Sequence, residues 1–411
     1  MKKRYVIMPV LLLACLLSNR AAQAQLDATV FHTDYRIDPE KKGNLYIALD
    51  NLNFFRDNEF KGKTQDGYTL PGFWVKPKLI YYPLKNIRLE AGAYLLKYWG
   101  ATRYPSEAAY QILPSWNAGH YQNGFRALPF FRAQLALSSH VDLILGDIYG
   151  GADHQLIAPL YDPERNLTAD PEAGLQLLYH SRFLKLDAWA NWESFIFRDS
   201  PHQEAFTFGL SARVKLNAPE SRFHVYVPLQ VVMQHRGGEI DTITASSVQT
   251  WANLAAGVGV AYNVNCGVLK RISFEMAAAY FSQQSGDALP FDNGYGFYPK
   301  LSADVYHFHV EAAYWKCNDF IPLLGSPFFG AVSTAEPGMT FRRPGLFYFG
   351  AEYGRSFGKG FELGIDADIV NQFPVTACLP DGTAERQGSA LSFSAGVYFR
   401  VNTEILLKRF Q

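Results

Sequence analysis

The sequence predicts an all-β fold, a transmembrane antiparallel β-barrel of about sixteen strands with long extracellular loops and short periplasmic turns. Three observations lead to this prediction. The chain begins with an export signal, many later segments alternate apolar and polar residues, and the connections between those segments alternate between short and long.

The N-terminus has the features of a cleavable signal peptide. A basic start at 2–4 precedes an apolar run at 5–17, and Ala22 and Ala24 form an A-x-A site, which predicts cleavage after Ala24. The apolar run is short for a membrane-spanning helix. The alternative is the lipobox of a bacterial lipoprotein at 12–15, although the apolar run continues past its cysteine and the A-x-A site would go unused. In both cases the mature chain is exported.

Composition narrows the class of protein. The formal net charge is zero, which removes any general electrostatic case for binding nucleic acid. Aromatic residues make up 15% and charged residues 18% of the chain, and no segment after the signal approaches the length of a transmembrane helix. This combination is typical of a membrane β-barrel or of an exported β protein.

Period-two alternation is the main structural signal. In 206–216, the apolar residues at even positions alternate with polar or small residues at odd positions, and 223–231, 361–369 and 391–399 repeat the pattern. These runs suit tilted membrane-spanning strands of about 9–11 residues. The residues expected to face lipid are Phe206, Phe208, Leu210, Val214, Phe361, Leu363, Ile365, Leu391, Phe393 and Val397.

The connections support closure into a barrel. Short ones such as 139–140 and 357–359 alternate with long ones such as 151–172 and 317–344. In hydrocarbon every backbone polar group needs an internal partner, so a spanning sheet must close. The predicted segments are a signal peptide at 1–24, a periplasmic N-terminal segment at 25–43, a barrel at 44–400 and a C-terminal segment at 401–411.

The signal peptide, the long alternating strands and the rhythm of loops and turns resemble those of general outer-membrane porins of Gram-negative bacteria. The Gln25 start and the tyrosine-rich strands resemble barrels of the Bacteroidetes group. The resemblance covers nearly the whole mature chain but is architectural. One departure concerns the end of the chain, where Phe410 is penultimate and 401–411 follows the last predicted strand, so this strand is either longer than drawn or followed by a short tail.

Charged residues on the inward face are the candidate pore lining. Those of the first half are mainly basic and those of the second half mainly acidic, which predicts a transverse field across the lumen, as in general porins. The alternative is that these charges are solvated or paired with strand neighbours. The residues are Lys76, Lys78, Arg88, Arg132, Arg213, Lys215, Glu275, Glu311, Glu362, Asp366 and Asp368.

The acidic loop 151–172 is the third long loop, and resemblance to porins implies that it folds into the lumen. Part of it loosely resembles a calcium-binding loop but lacks the required Gly and the bidentate Glu, since Leu167 and Ala173 occupy those positions. Its Asp153–His154 pair is reminiscent of barrel hydrolases, although no nucleophile stands out. A solvated loop is the competing interpretation.

Two further sets of inward residues are candidates. Trp74, Trp189, Trp251 and Trp315 would either stack on saccharides or pack against the rim or a plug. His307, His309 and Glu311 could bind a metal but lack further ligands, so no metal site and no cofactor are predicted.

The cysteines predict one disulfide. Cys317 and Cys378 fall in two loops at one end of the barrel, whereas Cys266 falls in a turn at the other end, too far away for a bond. Export permits disulfide formation. We therefore expect Cys317 and Cys378 to be bonded.

These observations favour a porin-like channel for small hydrophilic solutes, with saccharides as candidates, and we expect no enzymatic activity. The expected partners are outer-membrane lipid and a second copy of the chain in a homo-oligomer. The alternatives are a barrel enzyme that acts on lipid or peptide, and an exported β-rich protein that binds glycan.

Overall fold

The computed structural model describes residues 25–99, 125–197, 200, 202–238 and 248–410, with the backbone alone described at 265 and 266. The predicted signal peptide at 1–24 and most of the loop at 100–125 lie outside these residues. The strands are β1 (Asn44–Glu59), β2 (Tyr68–Leu84), β3 (Ile87–Tyr98), β4 (Arg126–Ala136), β5 (Val141–Asp147), β6 (Ala173–His180), β7 (Leu184–Ser194), β8 (Ala205–Lys215), β9 (Phe223–Arg236), β10 (Gln249–Cys266), β11 (Leu269–Ser285), β12 (Asn293–Val305), β13 (Phe308–Asn318), β14 (Thr340–Arg342), β15 (Gly345–Gly358), β16 (Phe361–Gln372), β17 (Val375–Cys378), β18 (Ala384–Gln387) and β19 (Ala390–Arg409).

Sixteen of these strands form one closed antiparallel barrel, which confirms the predicted fold class. Each barrel strand pairs with its neighbours in the chain, and β1 pairs with β19 to close the sheet. The remaining strands, β14, β17 and β18, form a small separate sheet in the long loops. The connections alternate as predicted between a short-turn end, with turns such as 267–268, and a long-loop end, with loops such as 148–172.

Alternation along each strand sorts the side chains between the two faces of the barrel. Phe208 and Phe361 are exposed on the outer surface, whereas Thr207, next to Phe208 in the chain, is 2% exposed and faces inward. All ten residues expected to face lipid lie on this outer face. The strand register was therefore predicted correctly in these segments, because a slip of one residue would reverse every side chain.

The end of the chain differs from the prediction. β19 continues to Arg409 and pairs with β1 from Asn44↔Arg409 to Glu59↔Phe393, so 401–409 belongs to the last strand and is not a separate tail. The period-two pattern breaks here because Ile405, Leu406 and Leu407 are consecutive apolar residues. A register shift opposite Leu45 and Tyr46 accommodates this irregularity.

Three segments fill the interior, and we call them the plug: 25–38, 148–172 and 319–334. The N-terminal segment was expected in the periplasm, but Leu26 and Val30 are buried inside the barrel. Arg400 on β19 donates to the carbonyl oxygens of Val30 and His32, both at 2.7 Å. The plug is therefore bonded directly to the barrel wall.

Only short helices occur in the described part of the chain. They are the α-helices Leu26–Thr29 and Arg165–Thr168 and the 3-10 helices Pro39–Lys41, Gly151–His154 and Pro327–Phe329. Among the described residues, none of these helices has the length and apolar character needed to cross a membrane.

The third plug segment packs against inward-facing tryptophans near the long-loop end. Phe320, Ile321 and Leu323 are completely buried and share one cluster with Trp251 and Trp315. Asn253 fixes the segment, since it donates to the carbonyl of Ile321 at 2.9 Å and accepts from the amide of Leu323 at 2.7 Å.

Candidate functional site

The basic half of the predicted pore lining forms a compact ionic cluster. Glu90 has no exposed side-chain surface and lies 2.6 Å from Lys78, 2.9 Å from Arg88 and 3.4 Å from Arg132. The Nζ atom of Lys76 lies over the Trp74 ring, 4.6 Å from its centroid. The single carboxylate of Glu90 thus contacts three cations at once and offsets one of their positive charges.

The acidic half is also paired. Arg56 contacts Asp366 at 2.7 Å and Asp368 at 2.8 Å, and Lys300 contacts Glu311 at 3.1 Å. All eleven predicted residues, which also include Glu362, Lys215, Arg213 and Glu275, lie on the inward face. The walls do not carry a single sign of charge, however, because Glu90 lies among the cations and Arg56 and Lys300 lie among the anions. Pairing therefore opposes the predicted transverse field.

The four inward tryptophans contact the plug. Trp74 donates from Nε1 to the carbonyl of Asn166 at 3.1 Å, and Trp189 stacks on His154 with ring centroids 3.5 Å apart. Trp251 and Trp315 lie in the cluster around Phe320. Their burial favours the packing interpretation over a saccharide path.

Loop 151–172 folds into the lumen, as resemblance to porins implied. Its acidic side chains have protein partners: Glu164 lies 3.4 Å from Arg56, and Asp170 lies 2.7 Å from Arg126. Within the described segments, no three His, Cys, Asp or Glu residues are grouped as metal ligands. The structure therefore offers no support for the calcium interpretation.

His154 anchors this loop and does not pair with Asp153. It lies 3.0 Å from Glu172 and 2.7 Å from Asp187, and its side chain is 1% exposed. Burial alone would lower the pKa of His154, but the two carboxylates raise this pKa to about 10. The imidazolium is consequently a fixed counter-ion, which is unsuitable as a general base near neutral pH.

The second histidine set also forms ion pairs. His309 contacts Asp304 at 2.7 Å and Glu311 at 3.8 Å. His307 instead packs its ring against Tyr306 and Tyr353. The two histidines therefore do not converge on one point, and the metal interpretation has no support.

The predicted disulfide is not present, because Cys317 and Cys378 are both free. Cys317 is buried beside Phe329, with its Sγ 3.8 Å from the carbonyl oxygen. Cys378 lies in the small sheet, where its Sγ accepts from Arg342 Nε at 3.2 Å. Sequence reasoning placed both at the same end of the barrel but could not resolve that one packs into the interior cluster and the other into the small sheet.

A cluster of hydroxyl groups around one histidine was not predicted. His235 at the end of β9 places Nδ1 2.9 Å from Thr250 Oγ1 at the start of β10. Ser285 at the end of β11 donates from Oγ to Thr250 Oγ1 at 3.0 Å. All three residues lie at the long-loop end of the barrel, on the outward face, where they are half-buried.

The hydrogen bonds define the tautomer of His235. Its Nε2 lies 2.8 Å from the carbonyl oxygen of Gly237, which can only accept, so a neutral ring carries its proton on Nε2. Nδ1 is then the acceptor for the Thr250 hydroxyl. A hydroxyl that donates to an oriented imidazole is the arrangement that activates a serine or threonine nucleophile.

A β-bulge brings the third residue into place. β10 and β11 shift register between Thr250 and Trp251, so Thr250 lies opposite Ser285 while Trp251 lies opposite Gln283. Bulges often re-aim side chains next to active sites. Outward-facing aromatic side chains extend the site along the rim. The ring centroids of Phe206 and His235 are 5.0 Å apart, and those of Trp192 and Phe206 are 5.3 Å apart.

Three solved structures, from Pseudomonas aeruginosa and Acinetobacter baumannii, have a similar arrangement of the chain. Pseudomonas aeruginosa OccK1 (OpdK) is 10% identical, with a TM-score of 0.46 over 89% of this chain and 100% of that one. P. aeruginosa OccK5 (OpdH) is 11% identical, with a TM-score of 0.47 over 89% of this chain and 99% of that one. Acinetobacter baumannii OccAB3 is 12% identical, with a TM-score of 0.45 over 88% of this chain and 99% of that one. The comparison with curated proteins found no match.

One protein family matches almost the entire barrel. The sequence model described as "Lipid A 3'-O-deacylase-type" matches residues 37–410. The protein is thus located in the outer membrane. The expectation of no enzymatic activity is wrong, because the family is named for an enzyme. The chain belongs to the lipid A 3'-O-deacylase-type family.

Proposed function

We propose that the protein is a hydrolase that removes an ester-linked acyl chain from lipid A in the outer leaflet. The observation that carries the proposal is the contact between His235 and Thr250 on the lipid-facing side of the long-loop rim. This rim lies at the level of the outer-leaflet headgroups, where the acyl esters of lipid A are located. The buried interior histidines lack such access.

The chemistry follows from the proton positions. Thr250 Oγ1 attacks the ester carbonyl as its proton passes to His235 Nδ1, and the tetrahedral adduct expels the sugar alkoxide, which takes that proton. A water molecule then attacks the acyl-threonine ester with His235 as the base, so that fatty acid is released and the Thr250 hydroxyl is restored. The Gly237 carbonyl holds the imidazole in the required tautomer.

Hydrolysis by the folded protein in detergent or liposomes tests this proposal, with purified lipid A as substrate and mass spectrometry of released fatty acid. His235→Gln and Thr250→Val should each slow release by about 10²–10⁴-fold, the usual contribution of general base catalysis. Ser285→Ala should have a smaller effect, because Ser285 donates a hydrogen bond to the nucleophile and is neither the nucleophile nor the base.

His224→Gln is the matched control. His224 lies on the same strand as His235 and contacts Asn263 on the same neighbouring strand at 3.0 Å, but at the short-turn end. This variant should hydrolyse lipid A at the wild-type rate. Normal hydrolysis by both His235→Gln and Thr250→Val would rule out the dyad, and absence of hydrolysis by the folded wild type would rule out the function.

Passage of small hydrophilic solutes is the second candidate function, and the polar inward face supports it. A cavity of about 350 Å³ between plug and wall includes Arg213, Glu275 and Lys300 in its lining. Planar-bilayer conductance tests this function. A channel should conduct, and neutralising Lys76, Lys78 and Arg88 together should shift its selectivity toward cations. Folded protein that conducts no ions would exclude the channel function.

A further inference from the structure

The interior cations fall into two groups. Lys78, Arg88 and Arg132 share Glu90, and Arg400 contacts Asp50 at 2.9 Å. The second group consists of two arginines on β8 and β11, near the short-turn end, that lack a close carboxylate partner in the segments that the structure describes. Arg213 is 4.0 Å from its nearest carboxylate, and Arg271 has no ion pair among the described residues.

Arg213 and Arg271 line the same cavity of about 350 Å³. Arg271 Nε is buried there without a hydrogen-bond partner within the described part of the chain. Asp304 lies opposite Arg271 in the strand register, but its carboxylate contacts His309 at 2.7 Å. A buried guanidinium nitrogen without an acceptor is costly, so an oxygen acceptor in the cavity would remove this cost.

Neighbouring residues hold Arg213 in place. Its guanidinium lies 4.6 Å from the centre of the Tyr226 ring, and Tyr226 donates to Glu275 at 2.9 Å. The absence of a side chain at Gly259 leaves room for the Tyr226 ring, because a Cβ at that position would lie 2.1 Å from the ring. The planar group is therefore oriented before any ligand arrives, which reduces the entropy lost on binding.

The same cavity offers further donors. Ser273 and Ser302 are joined through their hydroxyl oxygens at 2.6 Å. Only one of the two hydroxyl protons is used in that contact, so the other remains available. Two guanidinium groups and a hydroxyl suit the oxygens of a carboxylate or a phosphate.

We propose that this cavity is a binding site for a small anion, either a carboxylate or a phosphate, held by Arg213 and Arg271 with help from Ser273 or Ser302. Asp27 of the plug also lines the cavity. Glu275 and Asp304 on the wall line the same cavity, so the anionic group lies between the two guanidinium groups, and an uncharged or cationic part of the ligand faces the carboxylates. This site is separate from the rim cluster, since the two lie at opposite ends and on opposite faces of the wall.

Isothermal titration calorimetry of the detergent-folded protein tests the site, with inorganic phosphate and succinate as separate probes. At least one probe should bind saturably, and the stronger one identifies the class of anion. Arg271→Gln and Arg213→Gln should each weaken binding by about tenfold or more, as expected for loss of a charge-assisted hydrogen bond of 1.5–3 kcal/mol. Arg271→Lys should bind more tightly than Arg271→Gln, because it retains the charge.

Arg182→Gln is the charge-matched control, because Arg182 is exposed at the short-turn end and pairs with Glu220. This variant should bind like the wild type. Heat-modifiable gel mobility should confirm that every variant is folded. Absence of saturable binding by folded wild type, or equal loss in Arg182→Gln and Arg271→Gln, would overturn the proposal.

Discussion

Glu90→Gln should destabilise the barrel strongly. The substitution keeps the size of the side chain but removes the negative charge that contacts Lys78, Arg88 and Arg132 at 2.6–3.4 Å. Glu90 has no exposed side-chain surface and its partners are 6–10% exposed, so solvent screens the remaining cations poorly. Removing one partner of a buried ion pair costs about 3–5 kcal/mol, and we expect a loss in this range.

Urea unfolding of the protein in lipid vesicles, followed by tryptophan fluorescence, measures this loss. Glu220→Gln is the control, since it removes an exposed partner of Arg182 and should cost at most about 1 kcal/mol. If Glu90→Gln changed the unfolding free energy no more than Glu220→Gln does, the cluster would not stabilise the wall. The same logic predicts that neutralising Lys78 and Arg88 for conductance measurements will also lower stability.

Two further predictions concern the outer face and the plug. Leu210→Arg should cost roughly 2–4 kcal/mol in vesicle unfolding if Leu210 lies near the midplane, whereas Ser211→Arg on the opposite face should cost less; the reverse order would contradict the register. His154 has a folded pKa of about 10, raised above the unfolded value of 6.5, so its stabilisation is complete below about pH 6.5 and is lost as pH rises through the folded pKa. Unfolding from pH 7 to 10 should therefore reveal a loss of stability in the wild type that is smaller in His154→Gln, and identical pH profiles would exclude His154 as the cause.

The sequence was sufficient for the barrel because each lipid-facing strand encodes its own orientation. The pattern around Leu210 and Ile365 requires no knowledge of distant residues, since alternation and strand length are local properties. The plug was harder to predict. Leu26 and Val30 lie in a short segment without sustained period-two alternation, and the segment is held inside the barrel by Arg400 at the other end of the chain.

The rim cluster depends on register between strands, which the sequence does not display. His235 and Thr250 lie at the facing ends of β9 and β10, which are consecutive strands, so pairing the two strands as a hairpin could have brought them together. Ser285 ends β11, and its position opposite Thr250 follows from the bulge, which the sequence does not reveal. The ion pairs within the lumen could not be predicted either. Alternation along a strand shows which face a residue lies on, but it does not show which residue it contacts.

The bond between Arg400 and the Val30 carbonyl joins residues 370 positions apart in the chain. Contacts of such long range form slowly, because the entropy of closing the intervening loop must be lost first. β19 supplies both this contact and the pairing with β1 that closes the sheet. A chain that ends before β19 therefore lacks closure of the sheet and the plug anchor at once, so we expect export machinery to receive the complete polypeptide before the barrel can mature.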